Sequence, residues 1–355
     1  MGDQSKRKTF FIYCKVHCPR RSLDSTRLYR YLLANGLRPV SNPKDADLII
    51  VYTCGGFTTD EEFSLLTVKR ALKLKSESAD LVITGCLAKI NPSLFKTGGK
   101  VHLIQKSDLG SLDALINAET PYSTIPEVQV AEGIHDLYHG SFLQRFRRNI
   151  KSFSDFFSTL GLSIKRTLHV SSGSVATDKT LYKLEIGKGC LNNCSYCAIK
   201  LAMDEFRSIP VEQIIANFRK GLDSGYKRFA LLSADIGCYG LDLKTSLPSL
   251  LKKLFEVDGN YQIFLVDLNP RWFVKYYKEL LPILKANSQK IAGVILPLQS
   301  GSDRILRLMR RGYQIDEVKA CLLDLRRHLP DLFIETHIIT GFPGETEEDF
   351  QKSVE

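Results

Sequence analysis

Short β-branched runs alternate with helix-length amphipathic stretches along most of this 355-residue chain. That alternation restricts the fold to parallel sheets covered by helices on both faces. In the first third, strand-like runs fall at 9–14 (TFFIYC), 48–53 (LIIVYT), 80–85 (DLVITG) and 101–106 (VHLIQK). Helix-like stretches lie between them: 22–35, with Leu28, Leu32 and Leu33 on one face, and 59–75, with Phe63, Leu66, Ala71 and Leu74. The pattern predicts a small doubly wound α/β domain over residues 1–120. From 181 the units lengthen. Strands are predicted at 182–187, 227–233, 261–267, 291–298 and 332–340, and helices at 210–223, 246–257, 273–285, 314–328 and from about 346. Five βα units in succession point to a partial (β/α) barrel over 181–355. The final unit stops at Val354-Glu355 inside an amphipathic helix, which would leave a strand edge bare. The expectation is a barrel truncated before its last strand, and a chain that is a fragment of a longer one.

Residues 121–180 interrupt the alternation and read as a linker. Pro121, Pro126 and the Ser/Gly stretch 171–174 mark connecting segments. Between them Phe142, Phe146, Ile150, Phe153 and Phe157 recur at helical spacing, with Arg145, Arg147, Arg148 and Lys151 interleaved. A helix packed on its own domain, an RNA- or substrate-facing arm and a membrane-surface helix all fit this pattern. No apolar run approaches the roughly 18–20 residues of a transmembrane helix. The N-terminus lacks the apolar core of a secretory signal, so a cytoplasmic location is expected. The formal net charge of +10 leans toward a polyanionic partner such as RNA.

Nine cysteines in such a chain suit metal or catalysis better than disulfides. The string GCLNNCSYC sets Cys190, Cys194 and Cys197 in a C-x3-C-x2-C pattern just after the first strand of the second domain. Three soft thiolates hold three irons of a cubane cluster and leave the fourth iron open to a small chelating molecule. Structural zinc would need a fourth ligand nearby, usually from a second Cys or His pair, and none follows within the next thirty residues. Cys18, Cys54 and Cys86 are a second, dispersed set. Cys54 and Cys86 stand just past strand ends and Cys18 in the loop after the first strand, so all three can meet at one rim of the sheet. Buried, inert thiols are the plainer alternative for this set. Cys14, Cys238 and Cys321 read as structural.

The triplet, its place after a strand and Tyr196 before its last cysteine resemble the radical S-adenosylmethionine (SAM) superfamily. Further segments are similar to its methylthiotransferase branch: CPRRSLDS (18–25), YTC (52–54), GCLAK (85–89), FRSIPVEQI (206–214), LLSADIGCYGLD (231–242), PLQSGSDRILRLMRRGY (297–313) and THIITGFPGETEEDF (336–350). The match is ordered along the chain and covers most of 8–115 and 181–355. The resemblance implies two [4Fe–4S] clusters and SAM. The cluster on Cys190, Cys194 and Cys197 would bind and reductively cleave SAM. The one on Cys18, Cys54 and Cys86 would carry the sulfur to be delivered. The implied reaction inserts a methylthio group at an unactivated C–H bond, and the family's substrates are modified adenosines in tRNA or an aspartate in a ribosomal protein. An electron donor of flavodoxin or ferredoxin type and a sulfur source are implied as partners.

The resemblance also marks cosubstrate residues. Ser233-Ala234-Asp235 stands where the superfamily holds the amino group of SAM, although Asp235 would equally serve as a helix-side cap. Gln299 and Ser300 would reach the ribose or carboxylate, Ile338 and Gly341 would frame adenine, and Tyr196 adjoins the cluster. Arg207 is a candidate substrate partner, or a surface ion pair. Some positions depart from the family: Arg21 replaces its usual Asn, Met203-Asp204 replace an Arg-Gly pair, Ala234 a Gln, and His337 an Asp. The sixth barrel strand and the small C-terminal β-barrel of the family are absent. Both cysteine triplets are kept, so the altered positions bear on the substrate rather than on the radical chemistry. The leading expectation is a tRNA methylthiotransferase. Its rivals are a radical SAM enzyme of the same architecture acting on a peptide, protein or small molecule, and a non-catalytic iron–sulfur redox sensor.

Overall fold

The computed structural model describes residues 8–14, 18–130, 175, 178 and 180–355. The chain divides into two compact units, Met1–Lys179 and Thr180–Glu355. The basic Phe-rich stretch expected to form an amphipathic helix, and the Ser/Gly run 171–174, lie outside the described residues.

The first unit is a five-stranded parallel sheet of β1 (Thr9–Cys14), β2 (Arg38–Pro39), β3 (Leu48–Thr53), β4 (Asp80–Gly85) and β5 (Val101–Leu103), in the order β2-β1-β3-β4-β5. The two-residue strand β2 was not expected; it is too short to show a period, and its Pro39 is tolerated because the strand lies at the edge. Side-chain alternation explains the double covering. Phe10, Ile12, Leu48 and Ile50 pack with Leu28, Tyr31 and Leu32 of α1 (Pro19–Ala34). Phe11, Ile49, Val51, Leu81 and Ile83 pack on the other face with Val68 and Ala71 of α2 (Thr58–Leu74).

The apolar faces expected for these helices need correction. Leu33, Phe63 and Leu66 are exposed, while α2 turns Asp60, Ser64, Thr67, Val68 and Ala71 inward. Small and polar residues face the sheet there because Ser64 bonds the chain at Cys54: Cys54 N donates to Ser64 Oγ at 2.8 Å. Helix α4 (Leu112–Ile116) follows β5, and beyond residue 120 the chain still packs on this unit. Ile125 joins its core, and Arg27 Nε donates to the Ile125 carbonyl at 2.9 Å.

The second unit is also a five-stranded parallel sheet. Its order is β12-β11-β10-β9-β6, from β6 (Leu181–Glu185), β9 (Arg228–Leu232), β10 (Gln262–Leu265), β11 (Ile291–Ile295) and β12 (Phe333–Glu335). Between its strands run α5 (Val211–Asp223), α6 (Leu247–Phe255), α7 (Pro270–Ala286), α8 (Asp303–Leu308) and α9 (Ile315–His328), and α10 (Glu347–Val354) follows β12. This is a partial (β/α) barrel. A two-stranded antiparallel ribbon, β7 (Gly187–Lys188) with β8 (Arg207–Ser208), closes the base of the loop that carries the cysteine triplet.

Strands expected to reach 298 and 340 end at Ile295 and Glu335. Pro297 has no N–H to continue the ladder. Pairing resumes past it as a single bridge between Gln299 and Ile338, with Gln299 in a left-handed conformation (φ 79°). Among the described residues, no helix is long and apolar enough to cross a membrane.

Candidate metal centres

In the first unit the strand order reverses direction between β1 and β3, and ligands of such sheets gather at the carboxyl ends of strands around that point. The cysteines follow this geometry. Cys18 is the residue before α1, Cys54 follows β3 directly, and Cys86 opens the short helix α3 (Cys86–Ile90) after β4. Gly85 makes the last turn possible. Its φ is +100°, and a Cβ there would lie 2.3 Å from the Thr53 carbonyl oxygen.

Burial pushes the Cys54 and Cys86 thiols up, and the buried Arg21 pulls both back down. The Cys86 thiol also senses Cys18 and Cys54, so the three expected residues are electrostatic neighbours at one rim. Arg21 was noted in the sequence only as a departure; here it is the cation beside two of these thiols.

In the second unit Gly189 (φ +72°) turns the chain into the cysteine loop, where a Cβ would meet the Asp204 carbonyl at 2.6 Å. Two nitrogens of Asn192 point at the Cys190 sulfur, the backbone N at 3.4 Å and Nδ2 at 3.3 Å. Cys194 is buried, and Arg311 Nη1 donates to its sulfur at 3.4 Å. Ser195 fixes the loop on a distant segment: its N donates to the Met309 carbonyl at 3.1 Å and its Oγ to the Leu308 carbonyl at 2.8 Å. The Tyr196 phenol faces Arg311, Cys194 and Cys197; burial above all raises it. Burial also raises the Cys190 thiol, against the lowering donors of Asn192.

Among the described residues no three His, Cys, Asp or Glu side chains form a closed metal-ligating group, so each triplet is a set of neighbouring thiols rather than a finished cage. The surroundings fit sulfur that bears negative charge. N–H donors from Asn192 and Arg311 and the cation of Arg21 are aimed at thiol sulfurs, and such contacts stabilise thiolates that ligate iron. The donor chemistry therefore suits iron–sulfur clusters.

The expected cosubstrate residues divide into two kinds. Asp235 Oδ1 accepts from Gly237 N (2.9 Å) and Asn269 N (3.2 Å), and Oδ2 from Asn192 Nδ2 (2.6 Å) and Cys238 Sγ (3.4 Å). It is a buried capping carboxylate, raised by desolvation and held back by these donors. Ser300 is buried and its Oγ accepts from Ser302 N at 3.1 Å. By contrast Ser233 Oγ is buried at the end of β9 with no hydrogen-bond partner. Gln299 is buried, while Ile338, Gly341 and Arg207 are exposed. His337 Nε2 donates to a Glu335 carboxylate oxygen at 2.9 Å, a contact that raises its pKa. Asn192 and Arg311 were not foreseen. Asn192 lies inside the motif, but the Arg311–Cys194 contact joins positions 117 residues apart and leaves no local signal.

Comparison with known proteins agrees with this geometry. Residues 184–355 match the profile of the radical SAM superfamily, and residues 12–105 match the uncharacterized protein family UPF0004. A probable threonylcarbamoyladenosine tRNA methylthiotransferase of Pyrococcus horikoshii is 29% identical over 339 residues, covering 95% of this chain and 71% of that protein. The ribosomal protein uS12 methylthiotransferase RimO of Protochlamydia amoebophila is 27% identical over 357 residues, covering 99% of this chain and 67% of that protein. In fold, the radical SAM methyltransferase TsrM of Kitasatospora setae, solved with cobalamin and a [4Fe–4S] cluster, aligns with a TM-score of 0.57 at 15% identity, over 98% of this chain and 72% of that one.

Proposed function

Since the chain belongs to the methylthiotransferase branch of the radical SAM superfamily, whose enzymes use SAM and [4Fe–4S] clusters, we propose that it inserts a methylthio group at an unactivated C–H bond of a modified adenosine in tRNA. The observation that carries this reading is the pair of thiol triplets, one in each unit, each among donors or a cation that suit a thiolate. Residues 181–355 are the radical-generating part and 1–120 the sulfur-carrying part, joined by 121–180, in a cytoplasmic enzyme.

Cys190, Cys194 and Cys197 would hold the first cluster, and Cys18, Cys54 and Cys86 the second. When bound, these groups supply the electron that splits the sulfonium C–S bond of SAM and the sulfur that is transferred. The remaining work falls to the chain's own residues. Asn192 and Arg311 donate to sulfurs of the first triplet and set their directions. The unpartnered Ser233 hydroxyl is a buried oxygen suited to the amino group of SAM. Gln299 offers an amide in the segment past β11, and exposed Ile338 and Gly341 an apolar edge for adenine. Tyr196 shields the sulfurs of Cys194 and Cys197, and exposed Arg207 offers a cation to substrate phosphate. An electron donor of flavodoxin or ferredoxin type and a sulfur source complete the cycle.

The tRNA substrate is supported by the tRNA-acting relatives and by the net charge of +10. A second reading, a ribosomal-protein substrate, has its own support in the RimO relatives, one of which aligns over 99% of the chain. The test is to incubate the reconstituted enzyme with SAM and reductant, and either tRNA lacking the methylthio group or ribosomal protein uS12. Mass spectrometry of digested nucleosides and peptides then reads the product. A methylthiolated adenosine supports the first reading; a methylthiolated peptide with unchanged tRNA overturns it.

A further inference from the structure

The cysteine loop of the second unit rests against a buried cation. Arg311 is 6% exposed. Its Nη1 donates to Cys194 Sγ at 3.4 Å and its Nη2 to the Pro297 carbonyl at 2.7 Å, while Nε is buried without a hydrogen-bond partner. The Tyr313 ring centre lies 5.7 Å from the guanidinium carbon, and the Tyr196 phenol faces it as well. The backbone holds it in place. Arg310 takes a left-handed conformation (φ 57°) after α8, and Met309 and Leu308 carbonyls accept from Ser195 of the loop itself.

A guanidinium does not shed its proton on burial, so its charge persists. Its contacts here are a carbonyl, a thiol sulfur and phenols. A buried cation is costly unless an anion faces it, and the group best placed to be that anion is whatever the Cys194 sulfur ligates.

Building on the assignment of a cluster to Cys190, Cys194 and Cys197, we propose that Arg311 is a positioning residue that raises the reduction potential of that cluster. A cubane held by three thiolates carries net negative charge. Reduction adds one electron from an external low-potential donor and breaks no bond, so the negative charge grows by one. A fixed cation at the sulfur stabilises the reduced form more than the oxidised one, and a protein interior screens that difference less than water does. Charge rather than shape is then the property that matters at position 311.

The 355-residue chain carrying C18A, C54A and C86A retains one triplet, and its midpoint potential is read by dithionite titration followed by electron paramagnetic resonance, without SAM. R311M, and R311Q as a second neutral variant should R311M lose its iron, are expected to shift the midpoint to more negative values at unchanged circular dichroism. R311K, which keeps the charge, is expected to stay close to the parent's midpoint. A neutral variant with the parent's midpoint overturns the proposal, as does an R311K shift equal to that of the neutral variants. A parent that binds no iron overturns the cluster assignment itself, and the role of Arg311 with it.

Discussion

The side-chain amide of Asn192 donates to the buried Asp235 carboxylate at 2.6 Å, and the same nitrogen lies 3.3 Å from the Cys190 sulfur. One amide thus ties the first cysteine of the loop to the end of β9. Asp235 in turn anchors the start of α7 through Asn269 N. The position of Cys190 is therefore set by sheet and helix, not by the loop alone. Replacing Asn192 by Ala leaves the Asp235 oxygen short of a donor. Removing a partner from a buried acceptor costs about 1–3 kcal/mol, so N192A is expected to lose that much stability in urea unfolding. It is also expected to release iron from this centre faster under chelator, with the other centre unaffected.

Gly85 carries the corresponding burden in the first unit. A left-handed non-glycine residue costs about 1–3 kcal/mol. Here a methyl group would also meet the Thr53 carbonyl oxygen at 2.3 Å and the Thr53 nitrogen at 2.8 Å, both backbone atoms. G85A should therefore cost more than strain alone and push Cys86 away from Cys18 and Cys54. The expected outcome is a lower melting temperature with about half of the iron lost after reconstitution. SAM cleavage by the second unit should persist.

Acid stability has a named source in α10. Asp349 accepts from Ser302 Oγ at 2.6 Å and from Arg304, and forms a reciprocal capping pair with Thr346. Chiefly through Arg304 and then Ser302, its carboxyl is held well below the usual carboxylate range. A depressed carboxylate pKa stabilises the fold above the ordinary value of about 3.9. That stability is lost as pH falls through the depressed value. D349N should lower the melting temperature at neutral pH, and the gap between wild type and variant should close as pH drops below about 4. A gap that is constant across this range would place the effect elsewhere.

The parts legible in the sequence are those with a local signature. Short continuous apolar runs marked β1, β3, β4 and the barrel strands because both faces of a parallel sheet are buried. The spacing of Cys190, Cys194 and Cys197 is likewise a property of eight consecutive residues. Other features depend on partners far along the chain. β11 and β12 stop early because Pro297 interrupts a ladder between residues about forty positions apart. Phe63 and Leu66 suit a buried helix face, yet α2 turns Ser64 inward to bond Cys54. Asp235 sits at the strand end where a cosubstrate contact was expected, and tertiary donors occupy both of its oxygens. Arg311 reads as one more basic residue in LMRRGY until folding sets it against Cys194.

The account stands or falls on the metal content of protein purified and reconstituted without oxygen. About eight irons per chain are expected, with the broad visible absorption of [4Fe–4S] clusters. Replacing Cys190, Cys194 and Cys197 by Ala should remove half of that iron and all release of 5′-deoxyadenosine from SAM under dithionite. Replacing Cys54 alone should spare that release and abolish methylthio transfer. Colourless protein with zinc as its metal, or iron-loaded protein that leaves SAM intact, would contradict it.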